Sequence, residues 1–518
     1  MEAPAALSRP SPRGAIVFVG FMGAGKTLAA RGVAAELGTR AIDSDALVEE
    51  RIGGSIADYF ASHGERAFRE VEEDTVVELL EAPPAPVLSL GGGAVTSERV
   101  RGALREHTVV LLDVDAETAW QRAGGARRPL ARDRARFEAL LVERGPIYTE
   151  VADAILLAGR GENARHAVPA LKALGAAPPG TKLVWAAADS ATYPVYVGDG
   201  LLDGDFWPPV PGRSFLVTDT AVGPLWGDRL PRPVDERRLE PGEAAKTVPA
   251  AEAVLRAMAQ AGMARDDHVV ALGGGVVGDL AGFCAAVYQR GIPFVQVPTT
   301  LVAQVDSAYG GKVGVDLPEG KNYVGAFHQP AAVLADPQVL ATLPEPELAA
   351  GWAEVVKTAL LAGDPLWRRV RREPRVDRDL VLACARLKLA VVAADERDVG
   401  ARQALNLGHT VGHAIETVTG YARYRHGEAV ALGLLAALTL SDQSELRDEV
   451  AGLLAERGLP TRIDPAVDRA AVAEAVARDK KKRGGRVGFV LLERPGLPRV
   501  GCPVGASELR AAIEGLAR

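Results

Sequence analysis

The residues of this 518-residue chain that could do chemistry form two groups, and the first surrounds a lysine near the N-terminus. Residues 20–27 (GFMGAGKT) fit the pattern G-x-x-x-x-G-K-[ST] between an apolar run and a helical pattern. In such a loop, glycines like Gly23 and Gly25 let backbone N–H groups surround a phosphate, while Lys26 reaches the β- and γ-phosphates. The hydroxyl of Thr27 can ligate Mg²⁺. The pattern therefore predicts a site for the phosphates of a nucleotide.

A pair of carboxylates follows this loop. Asp43 and Asp45 end a strand-like segment (RAIDSD), and alternate residues of a strand point to the same side. One carboxylate could serve Mg²⁺ while the other orients the hydroxyl group that accepts the phosphate. A D-x-D pair by itself is more often a solvated turn, so the acceptor must be identified from residues beyond it.

The second group lies in the C-terminal half and is rich in histidine. Arg402, Asn406, His409 and His413 are spaced by 4, 3 and 4 residues, which places them on one face if the segment is a helix. Burying such a polar stripe would require a partner for every group, so the spacing favours the wall of a site. His426 follows shortly afterwards, just before an apolar helical pattern.

A carboxylate and a glycine-rich turn complete the second group. Glu354 and Lys357 share a helical face in GWAEVVKTAL, and two neutral imidazoles with one carboxylate form a common catalytic Zn²⁺ site. A single histidine is usually structural, but the whole set favours a metal. Residues 273–279 (GGGVVGD) follow a strand pattern, which is typical either of a tight strand–helix turn or of a backbone that approaches a ligand.

Composition limits the class of protein. The net charge of -7 argues against a general nucleic-acid surface, and the basic run at 478–486 is better explained as a solvated face or part of a phosphate pocket. Cys284, Cys384 and Cys502 are far apart, so we expect no disulfide framework and a reducing compartment. No signal-peptide pattern opens the chain, and apolar stretches such as 429–440 are too short to span a bilayer. We expect a cytoplasmic protein without nucleic-acid or membrane partners.

The elements that position these residues indicate an α/β architecture. Short apolar runs at 15–20, 87–90 and 109–114 alternate with helical patterns, which predicts a parallel sheet flanked by helices over residues 1–160. Residues 161–185 contain ALGAAPPGTK and are predicted to be a linker.

Two further domains are predicted after the linker, in line with about three domains for this length. An α/β nucleotide-binding domain occupies residues 186–333, and a helical domain for metal and substrate occupies residues 334–518. The strand patterns are YPVYV, SFLVT, HVVAL and FVQV in the first of these, with one more strand signal at 486–492 in the second.

The N-terminal group resembles shikimate kinase over about residues 14–160. The resemblance rests on the phosphate loop, the D-x-D pair, FREVE, the GGG turn after VLSL, and RRPL upstream of a late arginine. It implies phosphorylation of shikimate by ATP with Mg²⁺, the metal being held by Thr27 and Asp43. Arg128 matches a lid arginine that stabilises the transferring phosphoryl group, and we expect it to act with Lys26 and Asp45. The residues implied to hold shikimate are Asp45, Arg69, Gly91, Gly92, Gly93 and Arg144.

From about Tyr193 to its end, the chain resembles 3-dehydroquinate synthase. The matching motifs are PGEAAKT, GGGVVGDLAGF, VPTTLVAQVDSAYGGKVGV, GKN, GWAEVVK, LNLGHTVGHAIE, HGEAV and RDKK. The resemblance implies Zn²⁺ or Co²⁺ on Glu354, His409 and His426. The implied NAD contacts are Asp219, Glu243, Lys246, Gly275, Asp279, Thr299, Thr300, Lys312, Lys321 and Thr342. The implied substrate contacts are Asp306, Lys312, Lys321, Asn322, Lys357, Lys388, Arg402, Asn406, His413 and Lys480.

This second resemblance implies a defined reaction. NAD⁺ and the metal would support conversion of 3-deoxy-D-arabino-heptulosonate 7-phosphate into 3-dehydroquinate and phosphate, with NAD regenerated. We expect Lys357, Lys388, Arg402 and His413 to take part in it. Arg290 matches an arginine that reaches a neighbouring subunit, so a homodimer is implied. One departure is visible, because Tyr309 stands in SAYGGK where the family usually carries a small residue and valine.

Other functions fit the sequence less well. Another sugar-phosphate cyclase would share the fold, NAD and metal, and Asn322, Lys357 and Arg402 distinguish dehydroquinate synthase from it. A metal-dependent alcohol dehydrogenase would not need so many lysines. Gluconate kinase or a nucleoside monophosphate kinase would lack the Asp45 and Arg69 set. One half could also be an inactive scaffold, yet Lys26, Asp45, Glu354 and the metal histidines are all present.

Overall fold

The computed structural model describes residues 13–83, 85–123, 133–157, 161–482 and 488–517. The chain divides into two compact units. The first comprises Met1–Ala187 with Thr192–Val210, and the second comprises Ala188–Ala191 with Pro211–Arg518.

A parallel sheet forms the centre of the first unit. Its described strands are β1 (Ile16–Val19), β2 (Ala41–Asp43), β3 (Val87–Ser89), β4 (Thr108–Asp113), β5 (Ala154–Leu157), β6 (Lys182–Ala187) and β7 (Thr192–Val197). They are ordered β2-β3-β1-β4-β5-β6-β7, and neighbours run parallel except β6 and β7, which run antiparallel. Val17 of β1 lies between Leu88 and Val109, so the apolar runs predicted from the sequence are the central strands. Strands buried on both faces are continuous apolar runs in sequence, which explains why they were recognisable.

Helices connect these strands. They are α1 (Lys26–Glu36), α2 (Ser44–Ile52), α3 (Ile56–Glu81), α4 (Glu98–Leu104), α5 (Ala116–Ala123), α6 (Arg134–Val151) and α7 (Val168–Leu174), with 3₁₀ helices at Ala94–Thr96 and Gly161–Ala167. The helix α3 is kinked at Gly64, whose φ of 81° lies outside the helical region.

The segment predicted to be a linker, 161–185, contains regular structure. It includes a 3₁₀ helix, α7 and most of β6, and β6 pairs in parallel with β5 through Ile155 and Val184. The glycine and proline cluster that suggested a linker is the short turn between α7 and β6. An Ala- and Leu-rich helix beside such a turn has a composition similar to that of a linker, which misled the sequence interpretation.

The second unit contains its own parallel strands. They are β8 (Ser214–Asp219), β9 (Glu236–Leu239), β10 (His268–Gly273), β11 (Phe294–Pro298) and β14 (Ala332–Ala335), ordered β14-β11-β10-β8-β9. Between β11 and β14, the strands β12 (Lys312–Leu317) and β13 (Gly320–Phe327) form an antiparallel hairpin. The helices here are α8 (Gly223–Trp226), α9 (Val248–Gln260) and α10 (Gly275–Val287), with 3₁₀ helices at Gly227–Arg229, Glu243–Ala245, Tyr288–Arg290 and Pro337–Thr342 and a π-helix at Ala303–Ser307. Phe215, Val254 and Leu280 belong to the core between this sheet and its helices.

The remainder of the second unit is mainly helical, as predicted. Its helices are α11 (Glu345–Ala362), α12 (Leu366–Arg372), α13 (Arg378–Ala394), α14 (His409–Val418), α15 (His426–Leu440), α16 (Ser444–Ala455), α17 (Arg469–Lys482) and α18 (Ala506–Gly515), with a 3₁₀ helix at Ala401–Asn406. An antiparallel hairpin of β15 (Phe489–Arg494) and β16 (Leu497–Cys502) interrupts them, near the strand signal at 486–492. In the part of the chain that the structure describes, no helix combines the length and apolar character needed to cross a membrane.

Close helix packing brings the histidine-bearing segments together. A Cβ atom at Gly433 of α15 would lie 1.9 Å from the carbonyl oxygen of Gly408, which precedes α14. A Cβ atom at Gly427 would lie 1.9 Å from the carbonyl oxygen of Ala350 in α11. These contacts are possible only for glycine, so the sequence fixes how closely α11, α14 and α15 approach each other.

Candidate active sites

The first candidate site begins at the loop between β1 and α1. Gly23 and Gly25 have φ values of 80° and 89°, a backbone conformation that glycine adopts without steric cost. The amino group of Lys26 donates to the carbonyl oxygens of Gly20 (2.9 Å) and Phe21 (3.2 Å), so it lies across the concave side of the loop. Backbone N–H groups at the start of α1 and one cation thus face the same space, an arrangement suited to phosphate.

Asp43 and Asp45 do not lie on one strand, as the sequence interpretation assumed. β2 ends at Asp43, which caps α2 by accepting a hydrogen bond from the backbone N–H of Asp45 (3.1 Å). The other oxygen of Asp43 accepts from the Thr27 hydroxyl at 2.6 Å. The two carboxylates therefore face different partners because a helix begins between them, and Asp43 joins Thr27 at the predicted Mg²⁺ position.

Asp45 instead faces the glycine turn that follows β3. A Cβ atom at Gly91 would lie 2.5 Å from Asp45 Oδ1 and 2.7 Å from Glu72 Oε1, and one at Gly93 would lie 1.9 Å from Arg69 Nη1. Glycine at these positions therefore leaves room for a carboxylate pair and a guanidinium beside the turn. Arg69 is also ion-paired with Glu72.

Two residues of α6 close this side of the site. Arg144 Nη1 donates to the carbonyl oxygen of Gly92 at 3.4 Å, and the Tyr148 hydroxyl donates to the same oxygen. Burial raises the pKa of Tyr148 to about 12. Burial also raises the pKa of Glu72, although Arg69 opposes the shift. The sequence analysis did not select Glu72 or Tyr148, but their spacings of i+3 from Arg69 and i+4 from Arg144 were the available signal.

The structure therefore brings the expected residues of the first group together, from the phosphate loop to Arg144. Arg128, the expected lid arginine, lies outside the described residues.

The second candidate site is a cavity of about 780 Å³ in the second unit. Most residues implied by the second resemblance line it. They are Asp219, Glu243, Lys246, Gly275, Asp279, Thr299, Thr300, Asp306, Lys312, Lys321, Asn322, Thr342, Glu354, Lys388, Arg402, His409, His413 and His426.

One end of the cavity is formed by the N-terminus of α10. The strand β10 turns at Gly274, where a Cβ atom would lie 2.8 Å from Thr300 Cγ2. The hydroxyls of Thr299 and Ser307 are buried without a hydrogen-bond partner in the structure. A helix N-terminus with orphan hydroxyl groups fits the pyrophosphate of a dinucleotide, because each orphan donor would gain an acceptor.

A buried ion pair supports this end of the cavity. Lys246 lies 2.5 Å from Asp279 and is only 3% exposed. Burial raises the pKa of Asp279, and the charge of Lys246 opposes that shift. Nearby, the indole N–H of Trp226 donates to the Thr342 hydroxyl at 3.1 Å, and Trp226 is a lining residue that the sequence did not identify.

The other end of the cavity holds the histidines. Glu354 Oε1 is buried, accepts no hydrogen bond, and lies 3.5 Å from Nε2 of both His409 and His426. The ring nitrogens of His409, His413 and His426 also lie within 4.8 Å of one another. A carboxylate oxygen without a donor, facing two imidazole nitrogens, is the arrangement expected around a divalent metal ion.

The polar stripe predicted over residues 402–413 is not one helical face. Arg402 and Asn406 belong to a 3₁₀ helix that ends at Asn406, and α14 begins only at His409. Gly408 between them has φ 79°, which interrupts the helix. Consequently only His409 and His413 share a face. The glycine in LNLGHT was the signal that the spacing argument overlooked.

The pKa values of the three histidines differ strongly. Burial, with Lys357 nearby, lowers the pKa of His409 to about 3, and burial with His426 lowers that of His413 to about 4. Burial opposes the protonated form of His426 as well, but the neighbouring carboxylates of Glu354 and Glu416 raise its pKa to about 9. His409 is thus a neutral imidazole at physiological pH, the form that binds metals.

Glu416 is a buried carboxylate that the sequence analysis did not select. Its Oε1 lies 3.3 Å from His426 Nδ1 and 3.3 Å from Lys321 Nζ. Burial would raise its pKa, but His426 and Lys321 hold it at about 2. Glu416 therefore fixes the ring nitrogen of His426 that points away from Glu354, and it is placed in GHAIE three residues after His413.

Asp306 connects two cavity lysines. Its carboxylate accepts from Lys357 Nζ at 2.6 Å and from Lys388 Nζ, while Lys357 also lies 2.5 Å from Glu354. Burial lowers the pKa of Lys388, although Asp306 opposes the shift, and the two carboxylates keep the pKa of Lys357 raised despite its burial. Lys357 does not line the cavity itself but contacts two residues that do.

Arg402 and Lys312 reach the cavity from neighbouring segments. The guanidinium of Arg402 donates to the carbonyl oxygens of Glu396 (2.6 Å) and Gly310 (3.0 Å), and Lys312 lies 2.5 Å from Asp398. Among the remaining expected residues, Asn406 and Arg290 are not part of the cavity lining, and Arg290 is exposed in a turn with φ 72°. Lys480 lies in α17, but its side chain is outside the described part of the structure.

Comparison with known proteins decides the family. Residues 236–350 match the family described as 3-dehydroquinate synthase N-terminal, residues 351–482 match its C-terminal counterpart, and residues 22–174 match shikimate kinase. A 3-dehydroquinate synthase of Halorhodospira halophila (strain DSM 244 / SL1) is 48% identical over 331 residues, which cover 60% of this chain and 93% of that relative. This chain belongs to the 3-dehydroquinate synthase family.

Other relatives agree with this placement. The 3-dehydroquinate synthase of Symbiobacterium thermophilum (strain DSM 24528 / JCM 14929 / IAM 14863 / T) is 42% identical, with 63% of this chain and 98% of the relative covered. Among solved structures, a 2-epi-5-epi-valiolone synthase of Streptomyces hygroscopicus subsp. jinggangensis 5008, with NAD⁺ and Zn²⁺ bound, is similar with a TM-score of 0.58. It is 26% identical and covers 63% of this chain and 97% of its own. The chain is therefore a bifunctional enzyme of the shikimate pathway, in which a shikimate kinase domain precedes the synthase domains.

Proposed function

We propose that the first unit phosphorylates shikimate with ATP and Mg²⁺, and that the second converts 3-deoxy-D-arabino-heptulosonate 7-phosphate into 3-dehydroquinate and phosphate. The observation that carries the second assignment is the convergence of Glu354, His409 and His426 on one point of a lysine-lined cavity. A phosphorylated sugar acid needs cations for its phosphate and its carboxylate, which the lysines supply. The level of identity to dehydroquinate synthases favours this substrate over that of other sugar-phosphate cyclases.

For the kinase, we propose that each site residue binds or orients one part of the substrates. Lys26 and the N-terminus of α1 bind nucleotide phosphates, while Thr27 and Asp43 hold Mg²⁺, which neutralises charge that develops on the phosphoryl group. Asp45 lies beside the glycine turn and orients the acceptor hydroxyl as its proton leaves. Arg69 and Arg144 bind the shikimate carboxylate, because a guanidinium can donate two parallel hydrogen bonds to it.

For the synthase, we propose that Glu354, His409 and His426 hold Zn²⁺ or Co²⁺, which when bound polarises a substrate oxygen. NAD⁺ when bound provides a reversible hydride acceptor. Thr299, Thr300 and the start of α10 bind its pyrophosphate, with Asp219, Glu243, Lys246, Asp279 and Thr342 along the rest of its length.

The substrate is then held by the chain's own charges. Lys312, Lys388, Arg402 and Lys480 are proposed to neutralise phosphate and carboxylate, and Asp306 keeps two lysines at fixed distances. Asn322 lines the cavity and is proposed to bind a ring hydroxyl. Lys357, which lies behind the lining, is proposed to hold Asp306 and Glu354 in place. The low pKa of His413 makes it a neutral imidazole that can accept a proton during elimination of phosphate.

The finer organisation is also part of the proposal. A homodimer through the synthase part is supported by Arg290, which is exposed in the 3₁₀ helix after α10. The exposed apolar side chains of Val287 on α10 and of Tyr323 and Phe327 on β13 also support it. A cytoplasmic location is supported by three buried cysteines without disulfides. We retain the domain limits 1–160, 186–333 and 334–518 as proposals. The segment 161–185 is a structured connection, and β6 and β7 pack with the first unit.

Reciprocal variants test both assignments in one chain. We expect His409→Ala to abolish phosphate release from the ketose acid phosphate while shikimate phosphorylation continues, because His409 belongs only to the second cavity. Lys26→Met should do the reverse. The measurements are phosphate release with NAD⁺ and Zn²⁺ supplied, product identification as 3-dehydroquinate, and ADP formation with shikimate.

Two results would contradict the proposal. Wild-type protein that is folded and zinc-loaded but releases no phosphate would reject the synthase substrate and favour another sugar-phosphate cyclase. Wild-type protein that forms no ADP with shikimate would reject the kinase substrate and leave the second assignment intact.

A further inference from the structure

We propose that Tyr309 is a positioning residue of the synthase site: its hydroxyl fixes the π-helical turn that carries Asp306, and Asp306 holds Lys357 and Lys388 in place. The inference rests on the synthase function proposed above. Tyr309 lies in the motif SAYGGK, directly before the two glycines that lead into β12.

The turn after β11 leaves one carbonyl group without its usual partner. Ala303–Ser307 is a π-helix, in which the N–H of Ala308 donates to the carbonyl oxygen of Ala303 at 3.2 Å. The N–H of Tyr309 donates to Asp306 instead, at 3.3 Å. The two N–H groups that would follow Gln304 in an α- or π-helix, those of residues 308 and 309, therefore bond elsewhere.

The hydroxyl of Tyr309 supplies the missing donor. It donates to the carbonyl oxygen of Gln304 at 2.6 Å, and the bond is buried. Tyr309 is only 2% exposed, so water cannot readily replace the hydroxyl as a donor. A buried carbonyl group without a donor is unfavourable. If the Tyr309 hydroxyl were removed, the turn would move to give the carbonyl group of Gln304 another donor.

Movement of this turn would displace Asp306 relative to the charged groups that it contacts. Asp306 lies within the π-helix and accepts from Lys357 (2.6 Å) and from Lys388. Lys357 in turn contacts Glu354 at 2.5 Å. Tyr309 contributes to the chemistry through this chain of contacts, since its hydroxyl is engaged by the backbone of the turn.

The backbone that follows Tyr309 is held in place by Arg402. Gly310 and Gly311 have φ values of 84° and 65°, and the chain then enters β12. The guanidinium of Arg402 donates to the carbonyl oxygen of Gly310 at 3.0 Å, and a Cβ atom at Gly310 would lie 2.8 Å from Arg402 Nη2. The backbone that follows Tyr309 is therefore anchored, and a phenylalanine at this position would keep the ring and lose only the hydroxyl.

The first test compares two tyrosine-to-phenylalanine variants. We expect Tyr309→Phe to lower kcat for phosphate release about tenfold, with KM changed less than about threefold, because misplacement of charged groups affects the reacting geometry more than binding. Tyr288→Phe is the matched control, since the Tyr288 hydroxyl donates to the carbonyl oxygen of Met263 at 3.1 Å and does not line the cavity. It should leave kcat unchanged. Shikimate kinase activity and thermal unfolding of each variant report on folding.

A double-mutant cycle tests whether Tyr309 acts through Asp306. In an Asp306→Glu background, which already displaces the carboxylate from its lysines, adding Tyr309→Phe should change kcat less than twofold. Three results would overturn the inference. The first is a double mutant whose loss of kcat equals the product of the two single losses. The others are a Tyr309→Phe variant with wild-type kcat and equal losses of kcat in the two phenylalanine variants. A wild-type protein that releases no phosphate would instead refute the proposed function, which separates the two failures.

Discussion

Removal of the Glu354 carboxylate is the sharpest perturbation of the proposed metal site. Glu354→Gln keeps the shape of the side chain but exchanges a charged oxygen for an amide, beside Nε2 of His409 and His426 at 3.5 Å. The buried ammonium group of Lys357 would keep Asp306 as a partner at 2.6 Å. The substitution therefore removes one proposed metal ligand and leaves Lys357 paired with Asp306, which Lys388 also contacts, so the fold should persist.

The expected loss of Zn²⁺ affinity follows from the contribution of one ligand to the binding free energy. A four-ligand zinc site provides roughly 10–16 kcal/mol, so one ligand corresponds to about 3 kcal/mol, or a factor of roughly 150 in the dissociation constant. We expect Glu354→Gln to weaken Zn²⁺ binding by about this factor. Competition with a chromophoric chelator measures it directly, and the absorption spectrum of the Co²⁺-loaded protein should change because one ligand is different.

A matched variant exists on the same helix. Glu347 lies two turns earlier on α11, lines the same cavity, and pairs with Arg425 at 2.8 Å. Glu347→Gln should leave Zn²⁺ affinity within about twofold of wild type, because its carboxylate contacts no cavity histidine among the described interactions. Unchanged Zn²⁺ affinity in Glu354→Gln, or equal losses in both variants, would refute the assignment of Glu354 as a ligand.

Three further outcomes are expected. Glu416→Gln should weaken Zn²⁺ binding by roughly 10–100-fold, because a carboxylate that orients His426 would lose its charge. Arg144→Lys should raise KM for shikimate about tenfold, since an ammonium group cannot make the paired hydrogen bonds of a guanidinium. Asp267→Asn should reduce the free energy of unfolding by about 1–2 kcal/mol at pH 7, because hydrogen bonds from Arg213 lower the pKa of Asp267 from 3.8 to about 2. A pKa lowered in the folded state stabilises above about pH 4, so the difference from wild type should disappear as pH falls towards 2.

A specific result would contradict each of these three predictions. Equal metal affinity of wild type and Glu416→Gln would remove Glu416 from the metal site. An Arg144→Lys variant whose KM for ATP rises instead would place the arginine at the nucleotide. A stability difference for Asp267→Asn that stays constant between pH 5 and pH 2.5, measured by denaturant unfolding, would show that the carboxylate charge is not its source.

Local patterns predicted much of this protein because they have local causes. The phosphate loop between β1 and α1, the turn from β10 to α10, and the pair of Glu354 and Lys357 all depend on residues within one or two turns of each other. The central strands were recognisable because burial on both faces demands continuous apolar runs. The family resemblance then supplied roles for residues that are distant in sequence.

Predictions that assumed an uninterrupted element were wrong. Asp43 and Asp45 are separated by the start of α2, and Asn406 and His409 by the left-handed Gly408. The expected linker holds α7 and part of β6. In the first two cases the backbone changes conformation at one residue, which spacing by itself does not reveal. In the third, an Ala- and Leu-rich helix beside a short turn has the composition of a linker.

The sequence by itself determined the phosphate loop, the α/β and helical character of the segments, and the histidines and lysines available for chemistry. Only the tertiary structure decided that Glu416 contacts His426, that Asp45 and Glu72 face the same glycine turn, and that the Tyr309 hydroxyl bonds to the turn of Asp306. The first two depend on packing between elements, as where α15 meets Gly408 at Gly433, and the third depends on the π-helical path of the chain. A buried polar side chain must find its partner wherever packing places one, and that position is a property of the whole fold.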